Sequence, residues 1–475
     1  MEKLRLSSLS VVELAPLLAK REISPSELAH DVLRRIEQFN PRLNAYVYID
    51  PERVFRDAQL AEKEILRGRY KGPLHGIPIS LKDNILTAGI PTTAGSKIMG
   101  NYVPTEDAFI VRRLRKAGAI LIGKTNLSEF AYGTETNNPR FGRTRNPWDT
   151  RRIPGGSSGG GAAATAAFMC PVSIGTDTGG SIRIPSALCG IVGLKPTFGR
   201  VSCQGVIALA PSLDHVGPLT RTAMDAAIVL NAIAGHDPLD VLSVRNPVRD
   251  YRSQAGQDLT GLRVGLPREF FFDHLDGEIE AAVRAASVTL QQLGVRLEEV
   301  SLPHLPNSET ASTQLTYAEA TSFHQSAGYF PARAAEYAPD VCGRLEEGAH
   351  ILATDYLRAL AVRRLMRQDF HQALTQVDAI LTPTVTTPAP LIDQQTVTIN
   401  CHEISARSAL VRLTRPSNLT GLPAITIPCG LTREGLPIGL QLIGRPFEEA
   451  TVLQLAHGFE SATAWHRQHP PILVG

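Results

Sequence analysis

The sequence lacks most of the features that tie a chain to a special environment. Only six of its 475 residues are cysteines (Cys170, Cys189, Cys203, Cys342, Cys401 and Cys429), and no two form a C-x-x-C pair. That excludes the usual zinc and dithiol signatures; thiols among apolar or small neighbours act as small hydrophobes. Runs of like charge are missing. Lys and Arg number 48 against 46 Asp and Glu, a formal net charge of +2, so neither a nucleic acid nor a membrane surface has electrostatic support as a partner. Long apolar stretches are missing as well. Met1 to Leu17 does not have the charged-then-apolar order of a signal peptide, nor the length of an anchor, and a cytoplasmic location is the default expectation. There is no repeat of solenoid period. No metal and no cofactor is expected.

What is present is alternation. Ser24, Pro25 and Glu27 have the form of a capping box at a helix start, and Leu28, Val32, Leu33 and Ile36 then recur on one face. Ile77 to Leu81 reads as a short strand leading into Lys82. Asp107 to Lys116 reads as helix and Ala119 to Ile122 as buried strand. Glu278 to Leu293 and Asp355 to Leu374 read as helices, each followed by a strand, Val295 to Val300 and Ala379 to Leu381. This pattern predicts an α/β sandwich around a mixed, largely parallel sheet. Two stretches break it. Residues 137–161 are polar and rich in Gly, Arg and Pro, as functional loops often are. Residues 303–340 have poor periodicity and scattered aromatics, which suggests an insertion able to cap a pocket.

Two Gly/Ser clusters carry the candidate chemistry. Pro154 to Gly161 reads Pro-Gly-Gly-Ser-Ser-Gly-Gly-Gly and runs into an Ala-rich segment. It fits G-x-S-x-G around Ser157 or Ser158, but that motif needs a strand directly before the serine. The polar, proline-bounded Asn146 to Pro154 cannot supply one. The bland alternative is a flexible loop before a buried small-residue helix. The second cluster, Gly175 to Arg183, follows the apolar run Val172 to Ile174. Backbone N–H groups from Thr178, Gly179, Gly180 and Ser181 can converge there on an oxyanion, with Ser181 as the exposed hydroxyl, or can form an anion nest without chemistry. A serine nucleophile needs a base. Lys82, on a strand with Ile77, Ile79 and Leu81, is the candidate, because burial favours the neutral amine. His215 is the best-placed downstream histidine and reads as an ordinary loop residue.

These strings resemble the amidase signature family: His75 to Asn84, Gly123 to Asn126, Pro154 to Gly160, Gly175 to Pro185, Gly190 to Thr197, Asn418 to Ala424 and Pro437 to Leu442. The resemblance spans nearly the whole chain. It implies one large α/β/α domain over residues 1–475, with core motifs at about 75–220 and a substrate-shaping insertion at about 303–376. It also implies a Ser–Ser–Lys triad, with Ser181 as nucleophile, Ser157 as bridging serine after a cis Gly156–Ser157 peptide, and Lys82 as the lysine.

The implied function is hydrolysis of a small-molecule amide to an acid and ammonia or an amine. Two alternatives stand beside it: the A subunit of a glutamine-dependent tRNA amidotransferase, and a non-catalytic binding protein on the same scaffold. Arg183-Ile184-Pro185 departs from the Arg-Gln-Pro usual in that subunit, which favours a stand-alone hydrolase. Tyr132, Thr134, Ile207, Phe323, Tyr329 and Phe330 are expected to give a moderately apolar pocket. Arg183 either pairs with Asp177 or holds a substrate carboxylate through its planar fork. A homodimer is the default assembly.

Overall fold

Apolar runs bounded by turn residues become neighbouring strands, and the runs before Lys82 and after Gly118 are the first such pair. The structure, a computed structural model, describes residues 6–473; the remaining seven residues of the expected 1–475 span lie outside it. Its strands in chain order are β1 (Tyr46–Ile49), β2 (Pro78–Lys82), β3 (Ile120–Thr125), β4 (Val172–Asp177), β5 (Val192–Lys195), β6 (His215–Thr220), β7 (Arg263–Pro267), β8 (Arg296–Val300), β9 (Ala379–Pro383), β10 (Thr396–Ile399), β11 (His402–Ser405), β12 (Ala424–Leu431) and β13 (Pro437–Gly444). Among the described residues eleven of these join one sheet in the order β1-β3-β2-β4-β6-β5-β12-β13-β9-β7-β8, and β10 pairs with β11. The pairs β3-β2-β4 and β9-β7-β8 are parallel, and antiparallel pairs link them. With its flanking helices this is the expected α/β sandwich around a mixed sheet.

Helix boundaries follow local chemistry. Both reciprocal hydrogen bonds of the Ser24–Glu27 capping box start the helix Pro25–Leu43, which satisfies two otherwise unpartnered N–H groups. The helix Gly159–Ala166 is buried on every side. Its glycines permit that: a Cβ on Gly160 would lie 2.4 Å from the Asn126 carbonyl oxygen, and one on Gly161 would lie 2.5 Å from Ser173 Oγ. The segment 137–158 has no helix or strand, as its composition suggests.

The stretch 303–340, whose periodicity is poor, is nonetheless largely helical. It contains a helix of 19 residues, Ser308–Ser326. The buried face of that helix is Ser308, Ala311, Ser312, Leu315, Ala320, Thr321 and His324. A face so rich in small and polar residues leaves no hydrophobic period to read. It packs against Pro339–Ala349 and Ala353–Gln376.

The fold brings the chemistry to one end of the parallel pair β2-β4. Lys82 ends β2 and Asp177 ends β4. Crevices beyond the carboxyl ends of parallel strands are the usual ligand sites of open α/β sheets.

Candidate active site

Three segments meet at this end. Lys82 sits on β2, Ser157 in the loop before the buried helix, and Ser181 in the turn between β4 and the helix Arg183–Cys189. The Gly156–Ser157 peptide is cis. The Lys82 ammonium nitrogen lies 2.7 Å from Ser157 Oγ and 2.8 Å from Thr176 Oγ1, and the residue is 1% exposed. Burial pushes the Lys82 pKa down to about 7, against the opposing pull of Asp177 and Asp214. The amine is therefore largely neutral just above neutral pH. Ser157 is wholly buried, whereas Ser181 keeps a small opening to the surface. The two serine segments are fastened together by the Ser158 N–H, which donates to the Ser181 carbonyl at 3.2 Å. On the other flank the Ser128 N–H donates to the Ser157 carbonyl at 3.3 Å.

Asp177 organises the turn that carries Ser181. Its carboxylate accepts from the N–H groups of Gly180 and Ile182, from the Arg183 guanidinium and from the Asn418 side-chain amide. Burial alone would raise its pKa, but Arg183 and then Lys195 and Asn418 outweigh that, and the carboxyl is held well below the usual range. Arg183 is 0% exposed. Beyond Asp177 it reaches the Thr414 carbonyl, Ser417, Asn418 and Gln441. The expectation of Arg183 as a substrate ligand is thereby corrected: its fork points into the core, with its donors already engaged. Replacing Arg183 with Met, which roughly keeps its bulk, leaves a buried Asp177 without its main counter-charge. We expect urea denaturation to show a stability loss of about 3–5 kcal/mol; a loss within error would contradict the structural role.

The row of expected oxyanion donors is also amended. The Gly180 N–H is committed to Asp177 at 2.8 Å. The N–H groups of Thr178, Gly179 and Ser181 donate to no acceptor among the described residues, and fixed donors of this kind suit developing negative charge. Thr178 is pinned through its hydroxyl, which donates to Asp214 at 2.5 Å. Asp214 also accepts from the Leu209 and Ala210 N–H groups. His215 lies on β6, not in a loop, with Nδ1 2.6 Å from the Leu213 carbonyl, and burial pushes its pKa well below the ordinary value.

Of the expected pocket residues, Tyr132, Ile207 and Phe330 fall in one buried cluster with Phe130 and Tyr337, against which Phe323 and Tyr329 pack. Thr134 supports the serine loop through its backbone, for a Cβ on Gly156 would lie 2.8 Å from its carbonyl carbon. Sequence reasoning does not find Thr176, Asp214 or Asn418 as contributors. Asn418 contacts Asp177 across 241 residues of chain, a relation that no local pattern contains.

Comparison with known proteins places these features. A family model described as Amidase matches residues 27–453. The A subunit of the glutamyl-tRNA(Gln) amidotransferase of Carboxydothermus hydrogenoformans is 44% identical, over 98% of this chain and 99% of the relative. An inhibitor-bound structure of a vestigial protein complex, one that reveals the evolutionary origins of an s-triazine catabolic enzyme, superposes with a TM-score of 0.91 at 34% identity and covers 95% of this chain and 98% of that one. The A subunit of the glutamyl-tRNA(Gln) amidotransferase of Thermotoga maritima superposes with a TM-score of 0.81 at 34% identity, over 97% of this chain and 96% of that one.

Proposed function

The chain belongs to the amidase family, and from that premise we propose that it cleaves a carboxylic amide at Ser181, with Ser157 and Lys82 carrying the proton. Neutral Lys82 accepts the Ser157 proton as Ser157 takes the proton of Ser181. The freed Ser181 oxygen attacks the amide carbon, and the carbonyl oxygen becomes an oxyanion held by the N–H groups of Thr178, Gly179 and Ser181. The same relay returns the proton to the leaving nitrogen, which departs as the C–N bond breaks. Water then attacks the acyl-enzyme by the reverse path. The observation that supports this reading most is the buried Lys82 amine, 2.7 Å from Ser157 Oγ with its pKa brought to about 7.

The finer reading that the comparisons favour is the amide-cleaving subunit of a tRNA-dependent amidotransferase. The relative at 44% identity over nearly the whole chain carries that name, which weighs against the stand-alone hydrolase expected from Arg183-Ile184-Pro185. On this reading the amide is that of glutamine, and the ammonia passes to a partner protein. The second reading, an independent hydrolase, draws on a crystal structure named only as an amidase, which superposes with a TM-score of 0.86 at 36% identity. In either case the helical segment 303–376 closes the acyl side of the pocket, a role supported by the packing of Tyr317 and Phe330 in the Tyr132 cluster.

Ammonia release from glutamine, measured for the chain alone and then with the B and C subunits of an amidotransferase added, separates the two readings. The amidotransferase reading expects weak activity alone and a rise of at least about tenfold in the complex. Equal rates in both conditions would leave the independent hydrolase.

A further inference from the structure

A cluster of cations stands beside the oxyanion turn and takes no part in the relay. The Arg415 side chain passes next to Gly179, whose Cβ would lie 3.7 Å from Arg415 Cγ. The preceding residue, Thr414, donates its hydroxyl to the Gly179 carbonyl at 2.7 Å. Arg415 is 8% exposed, and its guanidinium donates to Thr313 at 3.3 Å. Tyr132 comes from the segment that supports Gly156 and Ser157. The guanidinium groups of Arg344 and Arg407 lie 4.7 Å and 5.9 Å from the centre of its ring. The cluster therefore abuts both serine segments.

Two features of the cluster are unfinished. The Tyr132 hydroxyl is buried, with the residue 1% exposed, and it has no hydrogen-bond partner among the described residues. Such a group costs free energy unless something fills its hydrogen-bonding capacity. Arg407 forms no hydrogen bond or ion pair among the described residues, although burial, and next the nearby Arg344, lower its pKa. Arg415 is likewise lowered to about 10, first by burial and then by Arg407. Guanidinium groups keep their charge at neutral pH. The acids nearby do not balance them. Asp340 is paired with Arg344, whose Nη2 also donates to the Tyr132 carbonyl. Glu309 attracts Arg415 and Arg412 but forms an ion pair with neither among the described residues.

We propose that Arg407, Arg415 and the Tyr132 hydroxyl form a carboxylate subsite, so that the substrate is an amide bearing a carboxylate a short distance from the carbon that Ser181 attacks. This rests on the hydrolase reading above. The subsite takes the role first considered for Arg183, whose fork is turned inward. Guanidinium groups match a carboxylate with paired N–H donors, and a phenol adds a third donor. Excess positive charge around the subsite favours an anionic acid over the neutral amide of the same shape.

Binding to Ser181→Ala protein, which retains the amide, tests the proposal by calorimetry. The probes are malonamate, succinamate and glutaramate against their uncharged diamides. At least one monoamide is expected to bind about tenfold or more tightly than its diamide, the gain of one charge-assisted hydrogen bond, and the ratio should fall as sodium chloride is raised. Arg407→Gln and Arg415→Gln, with folding checked by circular dichroism, are each expected to reduce that ratio to within about twofold. The half-buried Arg407 keeps the test informative should the Arg415 variant fail to fold. Equal affinities for monoamides and diamides, no saturation by any monoamide, or a ratio that survives substitution of Arg407 would overturn the subsite. The hydrolase reading is judged apart from this, by ammonia release from the same compounds with unmodified protein. Cleavage without a carboxylate preference would remove the subsite alone, and carboxylate-selective binding without cleavage would remove the hydrolase alone.

Discussion

Replacing Ser181 with alanine is expected to lower kcat for amide hydrolysis by about 10⁴-fold or more, the scale seen when a triad nucleophile is removed. The residual rate would come from binding and from the oxyanion donors, which the substitution leaves in place. Stability should hardly change. No residue among those described hydrogen-bonds to the Ser181 hydroxyl, so its loss strands no partner. The contrast is Ser158, the other serine that fits the G-x-S-x-G spacing. Its hydroxyl donates to the Thr176 carbonyl at 3.1 Å, so it helps hold β4 to the serine loop and is not free to react. A steady-state comparison of Ser181→Ala and Ser158→Ala on one amide, with thermal melts of both, separates a nucleophile from a structural hydroxyl. Near-normal turnover in Ser181→Ala would remove Ser181 from the mechanism.

The second large effect belongs to Lys82. Lys82→Ala is expected to cost about 10³–10⁴-fold in kcat, because the bridging serine would lose its proton acceptor. Lys82→Met, which keeps most of the side-chain volume, should lose as much activity without the added cost of a cavity. The pH dependence has a definite sign. Lys82 acts only when neutral, and burial brings its pKa from 10.5 to about 7. The neutral fraction, and with it kcat/KM, should rise tenfold per pH unit below about 7 and level off above. An amine left at its ordinary value would continue this rise to about pH 10.

Much of this centre is legible in local composition because each of its parts is local. The Gly-rich cluster before Gly159–Ala166 and the strand-end position of Ser181 follow from short-range steric rules, and the apolar neighbours of Lys82 foretell its burial. The resemblance then chooses Ser157 over Ser158, which spacing alone does not settle. What escapes is long-range or depends on direction. Arg183 has one composition whether it faces substrate or core, and its five inward donors are matched by residues as distant as Gln441. Nothing local separates the Gly180 N–H from its neighbours in the donor row; only the position of the Asp177 carboxylate does. The helix Ser308–Ser326 is hidden because it packs small and polar residues where a hydrophobic stripe would have signalled it. Arg415 lies some 236 residues from Gly179 in the chain, so their proximity is a product of the fold alone.

The relay can be interrogated without knowing the natural amide, since a fluorophosphonate reacts with an activated serine. The decisive measurement is the rate at which such a probe modifies Ser181 as a function of pH, in unmodified protein and in Lys82→Met. In unmodified protein the rate should climb through a midpoint near 7 and then stay level, and in the variant it should be slower by about 10³-fold and have no such midpoint. Labelling at Ser181 that is equally fast in the two proteins, or that shows the same pH profile in both, would contradict the claim that a buried neutral lysine activates the nucleophile.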